Sequence, residues 1–546
     1  MELGAIQIIN GDVLVIGGGA AGLRAAIEAR QYGLSVVLIS ESPVGFRNNT
    51  AISGATLASS GIWKETGDSP EIHLRDTIAS GRFMNDRRLV EIITRGATRQ
   101  IGDLIKFGVT FRRRRGELLV WRIPGHTYAR SISAERFKGV NISKPMRQYA
   151  ASIDVKLIDG ILVTKLLLTE DAVVGALGID GKGQVLAVNA KSTVLATGGA
   201  GQLYFRTNNA VGLTGDGYAL AYEAGATIRD MEFVQFYPTN SKYGRKICPY
   251  ENLIPNGAIL RNSLGENILE RHGIADFVSM TRDKLTRTIM TEIIDGRGIE
   301  GHVVFDLSTM PREEAREFQH GGYEEKIPVT PAVHFFMGGL RINESAEPGI
   351  DGLYAAGEVC GGIHGANRLG SNAITETLVF GAIAGGKAAV RASRMGLIQV
   401  RHGEVTAEVE RLNDLASGTG RGSIDEVQQS LKQTMWDKVG IIRSKQSLEY
   451  AQREILALRD QSRALSVTNY EQLWQLIKLT NMLTVSEMVC KAALIRTESR
   501  GAHYRTDYTE EDNERWLKIV EISRQRGQMT LLVTPVDGEV QNNESA

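Results

Sequence analysis

Residues 17–22 read Gly-Gly-Gly-Ala-Ala-Gly, and glycines at 17, 19 and 22 have the spacing that cradles a pyrophosphate. Gly17 allows a tight turn, Gly19 lets backbone approach the phosphates, and Gly22 lets a helix pack on a strand. Ala20 and Ala21 then open a helix whose positive end faces the anion. Ser40-Glu41 ends the next apolar run, and either residue suits a ribose hydroxyl. Nicotinamide and flavin dinucleotides share this fingerprint. Two later turns choose between them: Ala196-Thr197-Gly198-Gly199-Ala200-Gly201, and Ala355-Ala356-Gly357-Glu358. An elongated FAD needs such extra backbone contacts along its ribityl chain and ring, whereas a simple nicotinamide domain does not. FAD is the expected cofactor.

These turns need strands and helices to hold them. The apolar run Asp12–Ile16 predicts a buried parallel strand, residues 20–32 a helix stopped by Gly33, and Ser35–Ile39 a second strand. That is a βαβ opening, the context a glycine fingerprint requires. Helices are expected near 71–80 and 86–107, and strand-like pieces between 155 and 195. The run Ser192–Thr197 reads as a return strand, residues 281–295 as a helix, and Gly352–Ala356 as another strand. Glycine then thins, and amphipathic helical spacing dominates at 424–459 and 470–496. The chain beyond 527 reads as partly loose.

Composition excludes several classes. Lys plus Arg equals Asp plus Glu at 63 each, so no net field points to nucleic acid. Charged residues make up 23% and hydrophobic ones 42%, the balance of a globular protein. Cys248, Cys360 and Cys490 lie far apart, which excludes a cysteine-ligated iron–sulfur cluster within this chain and suits a reducing compartment. Neither a signal peptide nor a transmembrane helix is expected, and no metal ligand set is visible.

With the three turns in place, the chain resembles the flavoprotein family of succinate dehydrogenases, fumarate reductases and L-aspartate oxidases. The resemblance covers nearly the whole length. Its most specific stretches are 196–239, 327–342, 352–381 and 496–516, including HFFMGG and HGANRLGSN. It implies an α/β fold: a Rossmann-type FAD-binding domain in two pieces (1–239 and 346–400) around an α+β capping domain (240–345). A C-terminal helical domain (401–546) follows. It also implies hydride transfer between a substrate carbon and flavin N5, with a proton moving on the other face of the C–C bond. His334 and Arg368 match the family's grip on one carboxylate, Arg282 its proton carrier, and Glu251 its relay glutamate. Asn49, Thr50, Gly54, Asp216, Arg368, Ser371 and Asn372 join the turns as implied flavin contacts. A separate iron–sulfur protein is the expected electron partner. The expected location is cytoplasmic, either free or peripheral to a membrane-associated complex. The basic run Arg112–Arg115 reads first as a solvated face and second as a docking surface.

Departures from the family pattern sharpen the expectation. The family motif ends FVQFHPT, but position 237 here is tyrosine, and that histidine helps hold the second carboxylate. Tyr250 stands where a threonine contacts the same group, and Ile254 where a second relay arginine is usual. Losing such a contact costs on the order of 2–4 kcal/mol of binding, unless Tyr237 and Tyr250 donate their hydroxyls instead. A carboxylate-bearing substrate with a different second end is therefore expected, rather than plain succinate or fumarate. Fumarate reductase or L-aspartate oxidase proper, and an electron-transfer subunit without small-acid turnover, are the alternatives. Where membrane-complex members tether FAD to a histidine, residue 49 is asparagine, so FAD is expected to be noncovalent.

Overall fold

The computed structural model describes residues 3–536, except 63–66, 171, 243–246, 277–279, 318–323, 418–419 and 421. Its main sheet has seven strands, and every residue of Val36–Ser40 is buried in it, as an inner parallel strand requires. Ile6–Ile16 lies at the centre, parallel to Val36–Ser40 on one side and to Val185–Leu195 on the other. Lys156–Asp159 extends the first edge, and Ala172–Asp180 with Ile161–Thr169 extends the other in antiparallel sense. Leu353–Ala355 adds in parallel to Val185–Leu195, with Thr193 opposite Leu353. Thus three strand ends, near residues 16, 195 and 355, come side by side, and each opens into one of the glycine turns. The first strand begins at Ile6, earlier than the apolar run indicates, because its N-terminal half pairs with Val185–Ala190.

Gly22 shows why the third glycine is needed. A Cβ there would lie 1.9 Å from the Gly17 carbonyl oxygen, and relief would require prising the helix Ala20–Arg30 off its strand. Gly22→Val is expected to give protein with no bound FAD, read from the visible flavin absorbance of the purified chain. The helix Asn372–Arg394 is long and apolar enough to cross a membrane by composition. It is instead a core helix, because Gly385 sits so close to Ala25 that a Cβ would fall 2.2 Å from the Ala25 carbonyl. Its apolar face, from Ile374 to Ala392, is buried.

A four-stranded antiparallel sheet runs Val234–Ser241, Lys326–Phe336, Val303–Asp306, Ile259–Arg261. The helix Arg282–Glu292 has a core of its own with this sheet, built on Leu285, Ile289, Phe305 and Val329. The helical spacing at 424–459 belongs to two helices, Ile424–Lys438 and Lys445–Arg463. Ser444 restarts the second with a capping box, and the break lets Arg443 turn inward to His503 and the Glu232 carbonyl. Tyr470–Ile495 follows as expected.

The expectation of a partly loose chain after 527 is corrected for residues 528–535. Gln528–Pro535 is a strand, hairpinned onto Lys518–Gln525, which in turn pairs with Ile228–Arg229. The C-terminal region is therefore helical only as far as Trp516 and closes with β-structure. Residues 537–546 lie outside the described residues.

Candidate functional site

One cavity of about 600 Å³ runs from the glycine turns to the four-stranded sheet. At its first end the walls are Gly17, Gly19, Ala20 and Ala21, then Ser40 and Glu41. Helix Ala20–Arg30 begins at Gly19 with no side chain capping it, so its leading amides are open to an anion apart from Ala20 N–H, which donates to Thr50 Oγ at 3.2 Å. Glu41 is in the wall, where a ribose acid is expected, and is ion-paired with Lys478. Burial raises its pKa above the usual carboxylate value, against the pull of Lys478.

Along the middle, Asn49, Thr50 and Gly54 line one side, with Ala196, Thr197 and Gly198 opposite. Asn49 ties three segments: its Nδ2 donates to Glu358 Oε2 at 3.1 Å and Asn209 Oδ1 at 2.8 Å, while its Oδ1 accepts from Ala210 N–H at 3.0 Å. Asp216, at a helix start, accepts from Thr214 and from Asn481, each at 2.7 Å. Thr197 Oγ is buried without a partner, a polar atom suited to a ligand hydroxyl. An uncapped helix start, an acid at the ribose position and such an orphan fit an adenine dinucleotide carrying a ribityl chain.

Glu358 and Glu376 are both nine-tenths or more buried. Burial pushes Glu358 up to about 7, and burial with the nearby Glu358 charge pushes Glu376 up to about 8. Folding therefore favours their protonated forms. That stability is full below an unfolded carboxyl pKa and is lost as pH rises through about 7 and 8. Thermal melts of the FAD-free chain are expected to fall across this window, and Glu376→Gln is expected to flatten the slope.

The far end holds the remaining sequence candidates, Tyr237, Glu251, Arg282, His334 and Arg368. Arg282 Nη1 donates to Gln235 Oε1 at 3.1 Å and Nη2 to Glu251 Oε1 at 3.3 Å, with its guanidinium 5.2 Å from the Tyr237 ring centre. Burial lowers its pKa, but Glu251 and the two tyrosines outweigh this and hold it above the usual arginine value. His334 Nδ1 lies 3.1 Å from Asn208 Oδ1. Burial and the Arg282 and Arg368 charges depress its pKa far below normal, so its imidazole is neutral. Arg368 stacks 4.7 Å from the Phe335 ring centre, is 4% exposed, and its buried Nε has no hydrogen-bond partner. No carboxylate pairs with it among the described residues.

The exception left open for the two tyrosines is closed, and one expectation, Asn372, needs correction. The Tyr237 hydroxyl donates to Glu251 Oε2 at 2.5 Å, and the Tyr250 hydroxyl to the Met280 carbonyl at 3.1 Å. Neither proton is left for a substrate carboxylate. The Asn372 side chain does not line the cavity. Its amide is spent on His73 at 2.8 Å and Thr77 at 3.0 Å, beneath the loop that carries Arg368 and Ser371. Ser371 does line it; Gly22 lies behind the turn, as a packing residue must.

Sequence reasoning missed Gln235, Asn209 and Lys478. Gln235 also donates to Asn367 Oδ1 and to the Arg368 carbonyl, each at 2.9 Å, so it fixes Arg282 and Arg368 relative to one another. Its position two residues before Tyr237, with the period of a strand, was an available signal. Lys478 comes from a distant helix and left no local signal.

An FAD binding domain model matches residues 12–374, and a fumarate reductase flavoprotein C-terminal model matches 428–544. The chain is 37% identical to a subunit of the fumarate reductase (CoM/CoB) of Methanothermobacter marburgensis, covering 95% of this chain and 98% of that one. It is 32% identical to a fumarate reductase flavoprotein subunit of Mycobacterium tuberculosis, over 94% and 95% of the two chains. Its fold superimposes on E. coli quinol fumarate reductase FrdA with a TM-score of 0.91 at 28% identity, covering 99% of both chains. Domain matches over 12–374 and 428–544, on a cavity built by three glycine turns, show that this chain belongs to the FAD-dependent oxidoreductase family of fumarate reductase and succinate dehydrogenase flavoproteins.

Proposed function

We propose that the chain reduces or oxidises the C–C bond beside a carboxylate, holding that carboxylate on Arg368 and His334 and moving the proton through Arg282. Arg368 carries this reading. A buried guanidinium that no carboxylate of the described residues contacts costs several kcal/mol, and burial together with Arg282 drives its pKa well below the usual value against the pull of Glu358 and Glu251. A substrate carboxylate supplies the missing charge and accepts from the orphaned donor. Neutral His334 adds a second contact. Glu251, 3.3 Å from Arg282, can return a proton to it after transfer. Bound FAD supplies or accepts the hydride.

Asn49 cannot form a bond to the flavin ring, and its amide is already engaged on three partners. FAD is expected to pass into the supernatant when the holoprotein is precipitated with acid; flavin retained in the pellet would contradict this. The relatives are named as subunits, which supports a separate iron–sulfur protein as electron partner.

A second reading, fumarate reduction itself, is favoured by the 37% identity to a chain of that name. The two separate when anaerobically reduced holoprotein is mixed with acids and flavin reoxidation is followed. Fast reoxidation by enoates bearing one carboxylate, and slow reoxidation by fumarate, is the expected result. Rapid reoxidation by fumarate would establish the second reading.

A further inference from the structure

We propose that the end of the substrate opposite its carboxylate carries an uncharged hydrogen-bond donor, a carboxamide or an alcohol, received by the Tyr237 oxygen. This rests on the carboxylate grip proposed above. A phenol has one proton, and that of Tyr237 points to Glu251 Oε2 at 2.5 Å. What Tyr237 offers the cavity is therefore lone pairs.

Among the described residues the charges at this end cancel. Glu251 gives its other oxygen to Arg282 at 3.3 Å, so the pair leaves no surplus cation. Beside them the cavity wall is Ile247, Pro249 and Asn252, none of them charged. Of the other arginines in the wall, Arg368 serves the first carboxylate. Arg47 belongs to the glycine end, where its neighbour Asn48 donates to the Gly18 carbonyl at 3.2 Å. A second carboxylate would face the Tyr237 lone pairs and the Glu251 charge with only the uncharged Asn252 amide of this wall to donate to it. An N–H or O–H would find an acceptor, and the Asn252 amide can serve the remaining atom of a carboxamide. Burial and then the Glu251 charge raise the Tyr237 pKa well above normal, so the phenol keeps its proton and this polarity.

Fumarate and its monoamide, fumaramate, differ only in this one group. Both can be titrated into oxidised, FAD-loaded protein by calorimetry, where no electrons are present to reduce them. Fumaramate is expected to bind at least about tenfold more tightly than fumarate. Tyr237→Phe, checked for unchanged FAD content, is expected to abolish most of that preference. Tyr237→His, which restores a donor, is expected to shift it toward fumarate. Equal or tighter binding of fumarate by the native protein, with binding of both acids lost in Arg368→Gln, would overturn this inference alone. A preference that survives in Tyr237→Phe would likewise overturn it. Binding of neither acid, or binding indifferent to Arg368→Gln, would overturn the carboxylate grip and this inference with it.

Discussion

Arg282→Ala is expected to slow single-turnover flavin reoxidation by an enoate on the order of 10²–10⁴-fold, the usual contribution of a positioned proton donor. FAD should stay bound, because Arg282 sits at the substrate end of the cavity, away from the glycine turns. Arg282→Lys tests the geometry. The guanidinium reaches Gln235 and Glu251 through two different nitrogens, and an ammonium on a flexible stem cannot hold both in the same plane. Its rate is expected to fall between those of the native protein and the alanine variant. An alanine variant within tenfold of native turnover would rule out Arg282 as the proton carrier. Loss of FAD in that variant would show instead a structural role.

Arg496→Met is expected to cost about 3–5 kcal/mol of stability, the cost of breaking a fully buried ion pair from one side. Arg496 donates to Glu232 at 2.6 Å, Glu498 at 2.9 Å and the Lys518 carbonyl at 2.7 Å, and lies 4.8 Å from the Phe233 ring centre. Burial already raises the Glu232 pKa against the opposing pull of Arg496, so removing the arginine leaves a carboxylate with little to hold its charge. The same side chain joins the end of the long helix Tyr470–Ile495, the terminal hairpin and the segment leading to Gln235 and Tyr237. Chemical denaturation should show the loss, and adding Glu232→Gln should restore part of it by removing the stranded charge. A loss below about 1 kcal/mol would mean the cluster is not a stabilising joint.

The cofactor end was legible in the chain because its signals are local. A glycine spacing, a strand ending in that turn and a helix starting from it occupy some thirty consecutive residues, and short-range sterics dictate them. The helices Pro70–Ser80 and Arg87–Lys106 were legible for the same reason, each opened by its own cap, Ser69 and Asp86. Resemblance supplied Arg282, His334 and Arg368, and the fold brings them into one cavity wall.

Only the tertiary structure decided where their protons point. Whether Tyr237 and Tyr250 donate their hydroxyls to a ligand stayed open in the sequence, and in the fold Glu251 and the Met280 carbonyl take those hydrogen bonds. Ser40 and Glu41 both read as ribose contacts, and a lysine 437 positions away now shares Glu41. The terminal strand read as loose because the hairpin it forms with Lys518–Gln525 is seated on Ile228–Arg229, some 300 residues earlier. Backbone turns are decided by neighbours in sequence, whereas the direction of a hydrogen bond is decided by whichever acceptor folding brings within 3 Å, and no local pattern encodes that acceptor.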